Sequence, residues 1–379
     1  MIGTGPGGKG LREGSLNTHV TTQPLSPDSP LLQPVTAGAL HAKNAVWMAP
    51  LTRNRADADG TPNDLNVEYY RQRAGAGVII SEGSQPSAAG QGYIKTAGLV
   101  TDANEAGWTR VADAVHADGG LIVAQLMHAG RISHTDNNGG RQPVSSTARP
   151  AAGDMFTADG MKPFSTPHAL TTDELPAVAA EFADAARRAR RAGVDGVELH
   201  AANGYLLHQF LADGVNDRTD GYGGEAQNRA RFVVEAARAT AEAIGADRVG
   251  IRLSPGHPFN DIAEADLSVY ETLVAQLSDL GLAYLHVLAE ADDPIVGKLR
   301  AIWPGTFVLN TGFGVDTARD ASQRLLADGV ADAVTVGRGF IANPDLVTRW
   351  AQGAELTVPD QGTFYAGGAQ GYTDYETLS

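Results

Sequence analysis

From Ala45 onward, short runs of β-branched and other apolar residues alternate with longer amphipathic stretches, the order expected of a parallel sheet with crossover helices. Strands are predicted over Ala45–Pro50, Gly77–Ser81, Leu121–Leu126, Gly196–His200, Arg248–Leu253, Ala283–Val287, Thr306–Asn310 and Ala333–Val336. Helices are predicted over Asn66–Ala74, Asn104–Ala117, Glu174–Ala192, Glu225–Ile244, Leu267–Leu280, Ile295–Ile302, Thr317–Leu326 and Pro344–Gln352. Several of these helices run into glycine just ahead of the next strand, at Gly119-Gly120, Gly193, Gly281 and Gly329, where a left-handed C-cap is expected. Eight βα units in roughly 310 residues predict an α/β fold of the (β/α)8 TIM-barrel type. The first strand is not followed by the G-x-G-x-x-G turn of a dinucleotide-binding open sheet.

Two segments stand outside the alternation. About 45 residues, Met127 to Thr172, separate the third strand from its helix and are rich in Gly, Pro, Ser, Thr and Asn, far beyond an ordinary βα loop. On a barrel this insertion sits at the catalytic face, so 127–172 is expected to form a capping loop or subdomain; an inert surface insertion is the other reading. Residues 1–30 read as a disordered leader, which leaves 31–379 as a single barrel domain.

Composition narrows the chemistry. With 29 Lys and Arg against 44 Asp and Glu, the net charge is −15, which argues against nucleic acid or an anionic membrane surface as partner. There is no cysteine, so disulfides, thiolate nucleophiles and Cys-ligated clusters are excluded and redox chemistry would require a bound cofactor. No apolar run has the length of a membrane span or the form of a signal peptide, and a cytoplasmic protein is expected. No His/Asp/Glu grouping has metal-ligand spacing: His128 and His134 lie in a Gly-rich loop, and apolar neighbours make His286 read as a satisfied core imidazole.

Residues at the C-terminal ends of barrel strands converge on one mouth. The predicted ends supply Thr52 and Arg53, Glu82, Gln125 and His128, His200 and Asn203, Arg252, Asn310 and Arg338. The fourth end is the densest, because Val197-Glu198-Leu199-His200-Ala201-Ala202-Asn203-Gly204-Tyr205 packs an imidazole, an amide and a phenol into six residues. Together His200 and Asn203 can hold one ligand oxygen while Tyr205 acts as an acid nearby; a buried His followed by an Asn-Gly turn is the plainer reading. After strands seven and eight come Thr311-Gly312-Phe313-Gly314 and Val336-Gly337-Arg338-Gly339, Gly-rich turns where barrels bind phosphate. Gln125 and Arg252 are interior strand residues that need partners: a flavin ring would satisfy both, and for Arg252 an ion pair with Glu82 is the alternative.

Taken together these motifs resemble the Old Yellow Enzyme family of FMN-dependent ene-reductases from about Pro30 to Leu378. The resemblance rests on Met48-Ala49-Pro50-Leu51-Thr52-Arg53, Ser81-Glu82-Gly83, Val123-Ala124-Gln125-Leu126, His128-Ala129-Gly130-Arg131, the run from His200 to Leu211, Asn216-Asp217-Arg218-Thr219-Asp220, Asn228-Arg229-Ala230-Arg231, and Gly337-Arg338 followed by Asn343-Pro344-Asp345-Leu346. It implies tightly bound, non-covalent FMN and NADPH or NADH as hydride donor. It implies that Ala49, Pro50, Leu51, Thr52, Gly83 and Gln125 line the flavin ring, that Arg252 faces its N1/O2 edge, and that Gly312, Phe313, Gly337 and Arg338 hold the phosphate. By the same resemblance His200 and Asn203 bind the activating oxygen of the substrate, Tyr205 donates the proton, and Tyr93, Met127 and Tyr365 reach the substrate pocket. Thr52 places the chain with the branch that carries Thr rather than Cys near the flavin, and Met127 stands where relatives often carry Trp.

The implied reaction is reduction of the C=C bond of α,β-unsaturated carbonyl or nitro compounds, with small activated alkenes as partners and a monomer or homodimer as the working unit. Reduction of nitrate esters or nitroaromatics on the same flavin is the alternative. A flavin-free lyase or aldolase would need a Schiff-base lysine, yet Lys95, Lys162 and Lys298 fall in loops or at helix edges rather than on predicted strands.

Overall fold

Eight parallel strands close on themselves: β1 (Val46–Met48), β2 (Ile79–Ile80), β3 (Ile122–Leu126), β4 (Gly196–Ala201), β5 (Val249–Leu253), β6 (Tyr284–Leu288), β7 (Thr306–Asn310) and β8 (Ala333–Val336). In this computed structural model residues 23–312 and 317–378 are described. The crossover helices are α1 (Asp64–Arg71), α2 (Asp102–Ala117), α3 (Leu175–Arg191), α4 (Ala226–Ile244), α5 (Ser268–Ser278), α6 (Pro294–Ile302), α7 (Arg319–Ala327) and α8 (Leu346–Gln352). The barrel and its eight units follow the predicted order, and the four glycines ahead of strands take φ of 70° (Gly119), 85° (Gly193), 69° (Gly281) and 70° (Gly329).

Differences from the predicted boundaries have local causes. β1 ends before Pro50, which has no N–H to offer the ladder. α1 starts earlier than Asn66 because Asn63 is the cap: its side chain accepts from the Leu65 and Asn66 N–H groups while Asn66 Oδ1 accepts from the Asn63 N–H. Leu206–Leu211 forms an additional short helix after β4. Of the leader predicted over 1–30, residues 1–22 lie outside the described residues. Residues 23–30 are tied to the barrel, since the Leu25 N–H donates to Ala351 O at 2.9 Å and Arg319 to Gln23 O at 2.8 Å.

Along β4, side chains of period two place Glu198 and His200 on one face, and the register aligns Glu198 with Gln125 and Gly250, and His200 with Arg252. The interior is therefore layered. A floor of Ala45, Trp47, Val78, Ile80, Val123, Tyr284, Val308 and Ala333 is apolar, and the hairpin Val35–Ala37/Leu40–Ala42 seals it from below with Ala37, Leu40 and Ala42. Above the floor lie Gln125, Glu198, His286 and Thr335, all buried. Gly250 is required where the two layers meet, because a Cβ there would lie 2.2 Å from the Tyr284 ring.

The expected cap over 127–172 has its own small elements. Val144–Ser145 pairs in parallel with His168–Ala169, and Asp154–Thr157 forms a hairpin with Gly160–Pro163. Its buried Met127, Ala129, Ile132, Ala151 and Met155 cluster with Tyr205, so the segment folds onto the mouth of the barrel.

Gly250→Ala is expected to displace the Tyr284 ring and destabilise the protein by ~1–3 kcal/mol, the usual range for overpacking, read from urea unfolding midpoints; an unchanged midpoint would show that the floor repacks freely.

Candidate active site

The turn after β4 is built by backbone conformation. Asn203 (φ 55°) and Gly204 (φ 80°) are both left-handed, so the chain reverses at once and returns Tyr205 to the strand it left. Side chains from other elements hold this turn. The Asn203 N–H donates to Ser254 Oγ (2.8 Å) and its carbonyl accepts from Asn260 Nδ2 (2.8 Å). The Gly204 N–H donates to His208 Nδ1 (3.0 Å) and its carbonyl accepts from Gln209 Nε2 (2.7 Å). With the backbone so committed, the Asn203 side chain is left over: its Oδ1 is buried without a protein partner, as is His200 Nδ1. The two ends of the Asn203 amide interchange by rotation, so an N–H can be presented there equally well.

The His200 and Tyr205 rings lie 5.0 Å apart, and the Tyr205 hydroxyl shares a hydrogen bond with that of Tyr93 at 3.0 Å. Asn260 stands beside both phenols and lowers the pKa of each against the larger effect of burial. Burial pushes the Tyr205 phenol above its ordinary value, so it stays protonated until a strong base meets it. Burial, with the Arg252 charge adding to it, holds the His200 imidazole well below its ordinary value; the ring is neutral and donates through one N–H. Met127 is buried beside Tyr205, whereas Tyr365 is 52% exposed at the rim.

Beneath this group, Gln125 donates from Nε2 to Glu198 Oε1 at 2.8 Å, which leaves Gln125 Oε1 as an acceptor. Arg252 is buried with Nε unpartnered. Its opposite charge is Glu198 rather than Glu82. A buried guanidinium edge, a free amide oxygen and two further orphaned polar atoms at adjacent strand ends fit a planar, polar-edged ring such as isoalloxazine. His286 is satisfied as expected of a core imidazole, bonding Glu198 Oε2 (2.9 Å) and Thr335 Oγ1 (3.0 Å). Ala49 is buried at the end of β1, with Pro50, Leu51 and Thr52 half-buried beyond it.

The loops after β7 and β8 are adjacent. Gly312 takes φ 114°, with no atom of the described residues within 4 Å of where a Cβ would be, and a Cβ on Gly337 would lie 3.5 Å from the Leu51 side chain. Arg338 is exposed. Phe313 and Gly314 lie outside the described residues.

Several expected mouth residues do other work. Gly83 is needed for packing, since a Cβ there would lie 2.6 Å from Met127 Sδ. Arg53 turns away from the mouth and donates to the carbonyls of Phe364 (2.9 Å) and Gly371 (2.7 Å). Arg55 donates to the carbonyls of Thr363, Phe364, Ala366, Gly368 and Gln370. Together they bind the C-terminal segment next to the site. Glu82 sits in the same cluster, accepting from Asn66 (3.4 Å) and Tyr70 (3.5 Å). His128 accepts the Gly130 N–H on Nδ1 and shapes the cap's first turn. Asn310 donates to Thr335. Residues not singled out in the sequence but now part of the site's support are Ser254, Asn260, His208, Gln209 and Glu198; only Glu198 announced itself, as a carboxylate two residues before His200 on the same strand face.

Among the described residues no helix is long and apolar enough to cross a membrane, and no group of three or more His, Cys, Asp or Glu is placed to hold a metal ion.

Comparison with known proteins agrees with this geometry. The model of the NADH:flavin oxidoreductase / NADH oxidase family matches residues 30–357. Flavin oxidoreductase hxnT of Emericella nidulans is 39% identical, covering 93% of this chain and 98% of its own length. Rice (Oryza sativa subsp. japonica) 12-oxophytodienoate reductase 1 is 40% identical, with 92% and 93% covered. Among solved structures, the old yellow enzyme homologue of Zymomonas mobilis superposes with a TM-score of 0.89 at 40% identity, covering 92% of this chain and 99% of that one. Morphinone reductase in complex with tetrahydroNAD gives 0.88 at 45% identity, covering 92% and 98%.

Burial raises the Glu82 carboxyl from the ordinary 4.5 to about 7 against the opposing pull of Arg53 and Arg55. The folded state thus holds this proton more tightly than the unfolded chain, so the stability it contributes is complete below the ordinary value and is lost as pH rises through about 7. Glu82→Gln should remove that loss and gain roughly 1–3 kcal/mol at pH 8 over wild type, at ~1.4 kcal/mol per pKa unit. Urea titrations of both proteins between about pH 5 and 8, above the range where ordinary Asp and Glu side chains titrate, check it; parallel pH profiles would be the contrary result.

Proposed function

The chain belongs to the Old Yellow Enzyme family, within the NADH:flavin oxidoreductase / NADH oxidase group, and is an NAD(P)H-dependent flavin oxidoreductase with FMN as cofactor; on that premise we propose that it reduces the C=C bond of alkenes conjugated to a carbonyl or nitro group. The observation that carries this reading is the convergence of unpartnered His200 and Asn203 polar atoms on the neighbourhood of the paired Tyr205 and Tyr93 hydroxyls. Relatives named as reductases of 12-oxophytodienoate and of morphinone support it.

FMN, when bound, supplies the hydride, taken from reduced nicotinamide, with NADPH the expected donor. Ala49, Pro50, Leu51, Thr52 and Gly83 line the ring in this reading, Gln125 and Arg252 meet its polar edge, and Gly312, Phe313, Gly337 and Arg338 hold the phosphate. His200 and the Asn203 amide hold the substrate's activating oxygen. A neutral imidazole donates a hydrogen bond without surrendering a proton, so negative charge growing on that oxygen is stabilised rather than neutralised. The proton then comes from Tyr205, whose raised phenol releases it only to the strongly basic carbon formed as hydride arrives. Tyr93 orients the Tyr205 hydroxyl, Met127 forms a wall of the pocket, Tyr365 stands at its rim, and the 127–172 cap excludes water from it.

The purified protein should be yellow, bleach with NADPH under anaerobic conditions and recolour on adding cyclohexenone. In Tyr205→Phe the bleaching step should keep its rate while recolouring slows by ~10²–10⁴-fold, the range for a lost general acid. Slower bleaching with normal recolouring would refute the proton-donor role. His200→Ala combined with Asn203→Ala should weaken binding of a phenol, followed by its charge-transfer band with the flavin, by ~10²-fold or more, since hydrogen bonds to a charged oxygen contribute ~1.5–3 kcal/mol each; undiminished binding would remove the oxygen-holding assignment.

A further inference from the structure

The buried polar layer under the proposed flavin site is a connected chain of hydrogen bonds. Asn310 Nδ2 donates to Thr335 Oγ1 (3.0 Å), whose hydroxyl shares a hydrogen bond with His286 Nε2 (3.0 Å). His286 Nδ1 lies 2.9 Å from Glu198 Oε2, and since a carboxyl is a stronger acid than an imidazole N–H, the proton between them sits on the ring. Tyr284 donates to the same oxygen at 3.1 Å, through the gap left by Gly250, and Gln125 Nε2 donates to Oε1 at 2.8 Å. Three donors on one fully buried carboxylate leave no acceptor for a proton on Glu198, so it is ionised. The titratable groups that face it are His286, kept neutral by burial, and the charged Arg252.

We propose that Glu198 is a positioning residue for the cofactor: it fixes the Gln125 amide with its oxygen toward the flavin, and as the counter-charge of Arg252 it weakens the site's preference for reduced over oxidised FMN. Only one end of an amide can face a carboxylate, so Gln125 cannot rotate while Glu198 is ionised. The same negative charge, one strand from Arg252, partly cancels the cation that would otherwise favour the electron-rich reduced ring. The inference rests on the reading that Gln125 and Arg252 face the flavin.

Wild-type, Glu198→Gln, Glu198→Asp and Arg252→Leu proteins reconstituted with FMN are compared by dye-equilibrated reduction potential and by fluorescence titration of FMN affinity. Glu198→Gln should raise the ratio of reduced to oxidised FMN affinity by about tenfold or more, ~30 mV for a two-electron couple. Glu198→Asp keeps the charge and should hold that ratio within about threefold of wild type while weakening oxidised FMN binding. A wild-type ratio in Glu198→Gln overturns the inference; if Arg252→Leu still moves the potential, the placement of Arg252 against the flavin survives, and if it does not, that placement fails too. Should Glu198→Gln not fold, infrared difference spectra of the wild-type holoenzyme carry the test. Reduction should perturb a carboxylate band that moves in Glu198→Asp; a silent carboxylate region, or a new protonated-acid band, overturns the proposal.

Discussion

A carboxylate inside a closed barrel has no water to turn to, and that constraint organises the centre of this molecule. Leaving such a charge unpaired costs several kcal/mol, so the surrounding residues are those that can donate. Glu198 receives Gln125, Tyr284 and His286 and lies in the field of Arg252. Each demand propagates. Tyr284 reaches the carboxylate only because Gly250 has no side chain, and its ring in turn packs edge-on against Trp47 at a centroid distance of 5.3 Å in the floor. The apolar floor, the polar layer and the mouth are consequences of one buried charge set two residues below His200.

The mouth itself depends on a different economy. Two consecutive left-handed residues are an unlikely local conformation for Asn203, yet four hydrogen bonds hold them, two from the loop after β5 and two from the helix Leu206–Leu211. Because those bonds consume the backbone, the side chains of His200 and Asn203 keep unspent bonding capacity at a dry surface. Precision at Tyr205 likewise comes from neighbours, with Tyr93 setting its hydroxyl and the cap packing against its ring.

Much of this was legible from residue order. Alternating short apolar and long amphipathic runs yield the barrel, and glycines before strands mark the helix ends, because both follow from local geometry. His200, Asn203 and Tyr205 stood out because polar groups at a strand end need a purpose. What stayed hidden depends on distant partners. Arg53 looks like a mouth residue until the carbonyls of Phe364 and Gly371 appear beside it, and backbone carbonyls leave no trace in a sequence. Gly83 reads as a flavin contact, and the packing constraint that Met127, 44 positions away, adds to it is invisible in the sequence. The hairpin over 35–42 is too short for periodicity to reveal, although it closes the floor. Glu198 was the missed opportunity, since alternation alone puts it beneath His200.

The clamp of Arg53 and Arg55 joins the exit of the first barrel strand to residues 363–371. Protein synthesis runs in one direction, so the wall carrying Ala49 to Thr52 emerges first and must wait, with two cations uncommitted, until residues 363–371 have been made. The face proposed for the flavin therefore gains its clamp only once residues 363–371 are in place, and a chain cut before them loses that clamp even where its barrel closes.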